Sequence, residues 1–292
     1  MTISVVVVTL GQSSVFGRCL AALAAGVRKP DELVVVDQSG DRLAEVLARS
    51  AGTPLRRVRA SGLGISRARN LGAEAATGDT LAFTDDDCVP DESWLAALAD
   101  AEADAATGRI LPLDDDREGL VAVSSRTSRE HRQFHGTGDS VPWEAGSGGN
   151  LLVRRELFER LGGFDPRFGP GAEYRAAEDV EFLERILASG ATIVYTPEAV
   201  VYHERKQRSE RLKRRVPYGF GMGAAVAASG GARRRFLASR YLRMQLRAAG
   251  AGVKRLSPVR VAEPLLAAAG FAAGMALYRQ PQLVPKDTVR SP

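Results

Sequence analysis

Three consecutive carboxylates, Asp85, Asp86 and Asp87, come after the sequence Leu-Ala-Phe-Thr at residues 81–84. This apolar, β-prone run predicts a buried strand that ends at the acids. Neighbouring carboxylates repel one another, and a divalent cation bound among them would offset that cost. Because ligands of open α/β sheets bind at the carboxyl ends of strands, we expect a metal and diphosphate site at Asp85 and Asp87. The alternative is a solvated acidic turn that precedes the next helix.

The elements that must position these acids alternate along the first half of the chain. Continuous β-branched runs at residues 3–9 and 33–37 predict strands buried on both faces, and residues 55–59 predict a shorter strand. Helical patterns are predicted at 14–25, 41–50 and 66–77. This alternation is typical of a largely parallel α/β sheet with helices on its faces.

The loop after the first strand excludes several protein classes. Residues 9–14, Thr-Leu-Gly-Gln-Ser-Ser, hold no GxGxxG, and no GxxxxGK[ST] occurs in the chain. This argues against a dinucleotide-dependent oxidoreductase and against a P-loop nucleotidase. The two cysteines, Cys19 and Cys88, form no CxxC pair, and no secretory signal is expected at the N-terminus. A reducing, cytoplasmic setting fits both observations.

Residues 107–147 are polar and rich in glycine and serine. The segment holds a second acidic triplet at 114–116, which we interpret as a solvated loop because a weaker strand precedes it. His131 and His135 have the spacing of zinc ligands on a helix, but the residues between them lack the glutamate of HExxH. We therefore expect a surface pair. Further along, Glu178 and Asp179 open an amphipathic helix, where the helix dipole alone could account for two acids.

Seven blocks in one order resemble the inverting glycosyltransferase family 2, over about residues 1–205. They are the strand ending at Thr9, Val36-Asp37, and the sequences at 62–72 (GLGISRARNLG), 83–87 (FTDDD), 146–165, 176–190 and 195–203. The resemblance implies a GT-A fold, which is an α/β, Rossmann-like mixed sheet flanked by helices. It also implies a nucleoside-diphosphate sugar as donor, a glycan or lipid-linked acceptor, and Mg²⁺ or Mn²⁺ as cofactor.

For the donor, the resemblance places Thr9 and Asp37 at the nucleotide base. The family often has a second Asp or an Asn after that aspartate, whereas this chain has Gln38. The nucleotide-sugar contacts implied are Thr9, Asp37, Gly64, Arg67, Asn70, Asp85 and Asp86.

For the metal, the resemblance matches Asp85 and Asp87 to the D-x-D motif and adds His203 as a metal or diphosphate contact. Gly149 and Asn150 match the loop beside the acceptor site. Asp179 matches the general base, with Glu178 beside it as a second catalytic candidate.

These residue types suit the chemistry. A cation held by a few carboxylates and the phosphates neutralises the leaving diphosphate. One carboxylate within hydrogen-bond reach can take the proton of the attacking acceptor hydroxyl. Direct displacement inverts the anomeric centre, so the enzyme needs no nucleophile of its own.

A basic arm comes after the family blocks. Residues 205–260 hold sixteen Lys or Arg and one acid, a net charge of +15 in a chain whose total is +5. Arg240, Arg243 and Arg247 share one helical stripe, and Leu242 and Leu246 lie roughly opposite. We expect Pro264 to open an apolar stretch at 265–278 that is too short to span a bilayer. An anionic membrane is one candidate partner of the arm, and solvated helices packed on the domain are the alternative.

The sequence thus predicts a GT-A catalytic domain at 1–204, with a nucleotide-sugar half at 1–106 and an acceptor half at 107–204. A basic, helical extension occupies 205–292. We expect a glycosyltransferase of cell-envelope glycan or glycolipid synthesis, cytoplasmic or peripheral on the inner face of the membrane. A nucleotidyltransferase is an alternative, although residues 11–14 lack the lysine-containing phosphate loop. A nucleic-acid-binding protein is another, but aromatic residues are sparse in the arm and no nucleic acid is expected.

Overall fold

A computed structural model describes residues 1–40, 43, 54–60, 62, 64–113, 120–122, 126–136 and 139–280. The helix predicted at 41–50, apart from residue 43, and the acidic triplet at 114–116 lie outside these residues. The strands are β1 (Ile3–Thr9), β2 (Glu32–Asp37), β3 (Leu55–Arg59), β4 (Thr80–Asp85), β5 (Cys88–Pro90), β6 (Ala105–Pro112), β7 (Leu120–Val121), β8 (Arg132–Phe134), β9 (Asn150–Arg154), β10 (Ile193–His203) and β11 (Lys206–Gln207). The helices are α1 (Phe16–Ala25), α2 (Ile65–Ala75), α3 (Trp94–Asp100), α4 (Pro142–Ala145), α5 (Arg155–Arg160), α6 (Glu178–Ala188), α7 (Arg208–Lys213), α8 (Arg215–Ala228), α9 (Gly231–Lys254) and α10 (Pro258–Leu277).

A mixed sheet with the strand order β3-β2-β1-β4-β9-β6-β10-β5 forms the centre of the molecule, and β8 pairs with β10. Strands β1 to β4 are parallel, whereas β9 runs antiparallel to both of its neighbours. The register pairs Thr9 with Asp37 and Val8 with Asp85. The carboxyl ends of β1, β2 and β4 therefore meet at one edge. The predicted mixed α/β sheet is confirmed.

Both faces of the sheet are buried, which explains the continuous apolar runs. On β4, Leu81 and Phe83 join a core with the aromatic rings of α5 and α6, while Ala82 points into a second core with α1 and α3. On β1, Val6 belongs to the first core and Val5 to the second. The acids at the end of β4 are thus fixed by a strand packed on both sides.

Strand β10 is irregular, because its pairing with β6 shifts between Thr196 and Val200. A Cβ at Gly108 of β6 would lie 2.0 Å from the carbonyl oxygen of Ala199, so this irregularity requires a glycine opposite it. The two histidines expected as a surface pair are exposed, on either side of β8.

The C-terminal extension packs on the catalytic part of the chain. Phe168, Tyr174 and Val180 share one hydrophobic core with Met222 of α8 and Phe271 of α10. Helices α8 and α10 are therefore part of the wall around α6. The basic arm is helical as predicted, and its first residues pair as β11 with β7.

The expectation about Pro264 is wrong. Helix α10 begins at Pro258 and continues through Pro264, so its apolar segment is longer than predicted. By length and by its mean hydropathy of 1.3, α10 could cross a membrane, and 28% of its apolar window is buried. It is the single such helix among the described residues. A buried core helix would satisfy the same test, so length alone decides nothing about its surroundings.

Glycines allow the backbones of α8 and α10 to approach each other closely. Cβ atoms at Gly219 and Gly223 would lie 2.1 Å from the carbonyl oxygens of Ala267 and Phe271. A Cβ at Gly274 would lie 2.0 Å from the carbonyl oxygen of Phe220. Contacts advance along both helices together, so the helices are parallel, and small residues four apart form the interface.

We predict that Gly223→Ala lowers the free energy of unfolding by about 1–3 kcal/mol, because the methyl group must push the two backbones apart. The matched control is Gly250→Ala on α9, where a Cβ would meet no atom within 4 Å. This control should raise stability by about 0.5–1 kcal/mol through helix propensity. Urea unfolding measures both variants, and equal effects would contradict the close packing of α8 and α10.

Candidate active site

A cleft of about 780 Å³ opens at the carboxyl edge of the sheet. The acidic triplet lines it, together with Glu178 and Asp179 at the start of α6 and with His203 at the end of β10. Together with Glu210 of α7, elements far apart in the sequence thus bring six carboxylates and a histidine into one space. Cations line the same cleft: Arg69, Arg175, Lys206 and Arg214.

Asp86, in the turn after β4, is bonded to the end of β1. The Thr9 hydroxyl donates to its carboxylate at 2.5 Å. Burial, together with the charges of Asp87 and Asp85, raises the pKa of Asp86 to about 6, against the opposing effect of the Thr9 hydrogen bond. Thr9 therefore supports the triplet through its side chain.

Arg69 of α2 connects two parts of the site. Its side chain is 2% exposed and donates to Asp85 at 2.6 Å and to Glu178 at 3.1 Å. Although burial favours the neutral form, the charges of Asp85, Glu178 and Asp179 raise the pKa of Arg69 above its usual value. One guanidinium thus joins the end of β4 to the start of α6.

Sequence reasoning selected Arg67 and missed Arg69. Arg67 is exposed and does not line the cleft. Arg69 lies on the buried face of α2 with Ser66 and Ala73, at helical spacings of three and four. A charged residue on an otherwise small and buried helical face must find partners inside the protein, and that signal was present in the sequence.

Glu178 and Asp179 have different environments. Burial and the neighbouring Asp179 raise the pKa of Glu178 to about 7, while Arg69 opposes the shift. Asp179 accepts from the backbone N–H of Gly148 at 3.3 Å and of Val180 at 2.8 Å. Just before Glu178, the backbone turns through left-handed conformations at Arg175 and Ala177, with φ of 61° and 66°. Such conformations carry strain and recur at functional sites.

His203 presents its Nε2 atom to the acidic triplet. Nε2 lies 3.6 Å from a carboxylate oxygen of Asp87, and Nδ1 lies 2.7 Å from the carbonyl oxygen of Glu204. A carbonyl can only accept, so Nδ1 carries a proton and Nε2 is the ring atom that can act as a ligand. The amine of Lys206 stands 3.4 Å from Asp87 on the other side.

Asp87 and His203 fit a divalent cation. Their ligand atoms and the Cys88 sulfur form the one cluster of this kind within the described part of the chain. Burial raises the pKa of Cys88 well above its usual value, so the thiol keeps its proton and is a poor ligand for Mg²⁺ or Mn²⁺. Asp85 stands outside this cluster, against Arg69, so its role as a metal ligand stays a prediction.

The aspartate at the end of β2 is buried and bonded within the protein. Ser39 donates to Asp37 through its backbone N–H at 2.8 Å and its hydroxyl at 2.6 Å, and Arg57 donates at 2.9 Å. Burial alone would raise the pKa of Asp37, but these hydrogen bonds lower it. The next residue, Gln38, lines the cleft with a buried Oε1 atom that has no donor among the described residues. The sequence had not selected Gln38 as a residue of the cleft.

The remaining predicted residues contribute backbone or support. Asn70 is bonded to the backbone of Phe164 through both its amide nitrogen and its oxygen, each at 2.8 Å. Asn150 is buried, accepts from the Trp94 indole and donates to two carbonyl oxygens, so its side chain points away from the cleft. A Cβ at Gly149 would lie 2.5 Å from Asp85, and Gly64 precedes α2.

Comparison with known proteins defines the family. The Glycosyl transferase family 2 profile matches residues 4–162, more than half of the chain. The chain belongs to this family. A Mycobacterium tuberculosis pre-mycofactocin glycosyltransferase is 30% identical over 176 residues, which are 56% of this chain and 35% of that protein. The chain thus spans about a third of that relative. A Haloferax volcanii glucosyl-dolichyl phosphate glucuronosyltransferase is 27% identical over 70% of this chain and 69% of its own length.

Solved structures show the same GT-A fold. The mannosyltransferase PcManGT from Pyrobaculum calidifontis, in complex with GDP-Man and Mn²⁺, has a TM-score of 0.64 at 20% identity and covers 94% of this chain and 86% of that one. TarS of S. aureus, in complex with UDP-GlcNAc, has a TM-score of 0.63 at 16% identity and covers 94% and 82%. At these identities the likeness establishes the fold.

The raised pKa of Glu178 predicts a pH-dependent stability. The folded protein holds a proton that the unfolded chain releases above its usual pKa of 4.5. The resulting stabilisation is complete below pH 4.5 and is lost as pH rises through about 7. Glu178→Gln keeps the neutral shape, so from pH 5 to pH 8 the wild type should lose on the order of 1–3 kcal/mol relative to this variant.

Urea unfolding of the metal-free protein at several pH values measures the difference. Glu156→Gln, at an exposed glutamate of α5, is the control and should behave like the wild type. Parallel pH profiles for the wild type and Glu178→Gln would show that Glu178 titrates normally.

Proposed function

We propose that this protein is an inverting glycosyltransferase that moves a sugar from a nucleoside-diphosphate sugar to an acceptor hydroxyl. One observation supports this above the others: an accessible carboxylate, Asp179, lines the same cleft as the Asp87–His203 pair. Membership of glycosyltransferase family 2 and the GT-A fold support the same reaction class. A nucleotidyltransferase is disfavoured by this membership.

Asp87 and His203 would hold Mg²⁺ or Mn²⁺. When bound, the cation supplies positive charge that neutralises the leaving diphosphate. Lys206, Arg175 and Arg214 add cationic groups along the cleft and suit the same phosphates. Arg69 holds Asp85 in place through a hydrogen bond.

Asp179 would act as the general base. Glu178, its neighbour, is buried and bonded to Arg69, and its raised pKa makes it hold a proton more tightly than an ordinary carboxyl group. Asp179 also lines the cleft, but its oxygens accept from two backbone N–H groups. It can take the proton of an acceptor hydroxyl as oxygen attacks the anomeric carbon, and a single displacement inverts that centre.

The acceptor is proposed to be a glycan or lipid-linked sugar. Two relatives are named for lipid-linked substrates, a glucosyl-dolichyl phosphate and an N-acetylglucosaminyl-diphospho-decaprenol. Leu242 and Leu246 are exposed on α9, roughly opposite the stripe of Arg240, Arg243 and Arg247. These exposed apolar and basic side chains suit the inner, anionic leaflet of a membrane and support a peripheral location.

Two variants separate donor binding from transfer. Asp87→Ala should abolish the Mn²⁺-dependent part of donor binding, because the cation loses a charged ligand. Asp179→Asn should keep donor binding and lower turnover by about 10²–10⁴-fold, because the amide cannot accept the proton.

Calorimetry with UDP-, GDP- and dTDP-sugars and Mn²⁺ identifies the donor, and transfer is then measured with that donor. Asp100→Asn, at an exposed aspartate that ends α3, is the control. If Asp87→Ala binds the donor as tightly as the wild type does, Asp87 is not a metal ligand. If the turnover of Asp179→Asn stays within a few-fold of wild type, Asp179 is not the general base.

Membrane binding is tested by co-sedimentation of the full chain with vesicles. Binding should need phosphatidylglycerol and weaken with salt, since each Lys or Arg near an anionic surface contributes about 1 kcal/mol. Leu246→Glu should reduce pelleting, while Val27→Glu, a similarly exposed position on the catalytic part, should not. Equal pelleting on neutral and anionic vesicles would favour solvated helices packed on the domain.

A further inference from the structure

A second cavity, of about 450 Å³, lies behind the cleft, between the polar segment 126–144 and helices α8 to α10. Its volume is typical of small-molecule sites, which measure about 300–1,000 Å³. Large apolar side chains form most of its wall: Phe134, Trp143, Tyr218, Met222, Tyr241 and Met244. We call this cavity the rear pocket. Of these six side chains, Tyr218 alone also lines the cleft.

The rear pocket adjoins the proposed base. Tyr218 of α8 lines both the rear pocket and the cleft. Val180, the residue after Asp179 in α6, also lines the rear pocket. A molecule in the rear pocket that extends past Tyr218 would enter the cleft beside Asp179. This position suits the part of an acceptor that does not react.

Charges in the rear pocket favour an anion. Three arginines, Arg126, Arg132 and Arg215, line it together with one acid, Glu144. Glu144 pairs with Arg132 at 3.5 Å, and the side chains of both residues are exposed to solvent. Arg215 pairs with Glu263 at 3.1 Å through its Nη2 atom, while its Nε atom is buried and has no acceptor among the described residues. Buried donors rarely remain without a partner, so an anionic ligand group is a fitting acceptor here.

The rim of the rear pocket leads to the exposed face of α9. Met244 is 42% exposed and lines the rear pocket, on the helix that also exposes Leu242 and Leu246. The flexible thioether chains of Met244 and Met222 adapt to irregular apolar groups. A single cavity of this size accommodates one chain rather than two. Apolar walls, arginines and a solvent-exposed rim at Met244 together fit a lipid with one chain and a phosphate.

We infer that the rear pocket binds a single-chain lipid phosphate, as the apolar part of the acceptor. The chain would lie against Trp143 and Met244, and the phosphate would lie among the arginines. The sugar hydroxyl carried by the lipid would then reach past Tyr218 to Asp179. This inference rests on the proposed function, because it assigns the rear pocket to the acceptor of that reaction.

Tryptophan fluorescence tests the inference directly, since the chain has two tryptophans. Trp143 lines the rear pocket, whereas Trp94 is 1% exposed and bonded to Asn150 in the core. Farnesyl phosphate, titrated below its micelle concentration, should change the emission saturably in the wild type. Trp143→Phe should remove that change.

Two variant pairs locate the chain and the charge. Met244→Glu should weaken farnesyl phosphate at least about tenfold, because it places a carboxylate at the apolar rim. Val259→Glu on α10, also 42% exposed but outside the rear pocket, should leave the affinity unchanged. Arg132→Gln should weaken farnesyl phosphate about tenfold and leave farnesol unchanged, because only the phosphate uses the charge.

The outcomes separate this inference from the proposed function. No saturable change with farnesyl phosphate, or equal weakening by Met244→Glu and Val259→Glu, overturns it. The inference of a single-chain lipid phosphate is also overturned if dihexanoyl phosphatidic acid or inorganic phosphate binds as tightly as farnesyl phosphate. Calorimetry with Mn²⁺ and donor on the same preparations tests the reaction class independently. Donor binding without lipid binding refutes the rear-pocket assignment alone, and lipid binding without donor binding counts against the proposed function alone.

Discussion

The buried guanidinium of Arg69 is the interaction on which the site depends. A charge removed from water is costly unless it is paired, and Arg69 is paired with Asp85 of β4 and Glu178 of α6. Both carboxylates would repel each other without it. The guanidinium therefore sets the distance between the acids after β4 and the start of α6, where Asp179 lies. Removing it would leave two partly buried acids without their cationic partner and loosen both sides of the cleft.

The same constraint separates the roles of two adjacent carboxylates. Glu178 is bonded to Arg69, and burial raises its pKa to about 7. Asp179, one position later on the helix, also lines the cleft and accepts from the backbone N–H groups of Gly148 and Val180. Helical geometry turns consecutive side chains by about 100°, so one acid can support the structure while its neighbour remains available for chemistry. A pair of acids in one turn is thus divided by environment rather than by residue type.

The C-terminal extension completes the site from outside the family blocks. A Cβ at Gly221 would lie 2.4 Å from the carbonyl oxygen of Ala176, so α8 packs directly on the strained turn before Glu178. Tyr218 and Arg214 of the extension line the cleft. Glycines allow this close approach, and they also allow α10 to pack closely against α8. The extension is therefore both a basic surface and a structural wall of the cleft.

The sequence by itself determined the fold class and the edge of the sheet where chemistry takes place. Continuous apolar runs identified strands buried on both faces, and the acids at the ends of these runs had to lie at the carboxyl ends of those strands. Periodicity and family blocks are local properties, so they also located Asp87, Asp179 and His203 in the cleft. They did not show that Asp37 and Asn150 are bonded within the protein, because hydrogen-bond partners come from distant segments.

Only the tertiary structure decided which polar side chains face the cleft and which face the core. It selected Arg69 over Arg67, since burial on one face of α2 depends on what packs against that face. It also extended α10 through Pro264, because a proline seven residues into a helix is tolerated when packing compensates for the lost hydrogen bond. The rear pocket exists only where segment 126–144 meets α8 to α10, and no local pattern specifies such a meeting.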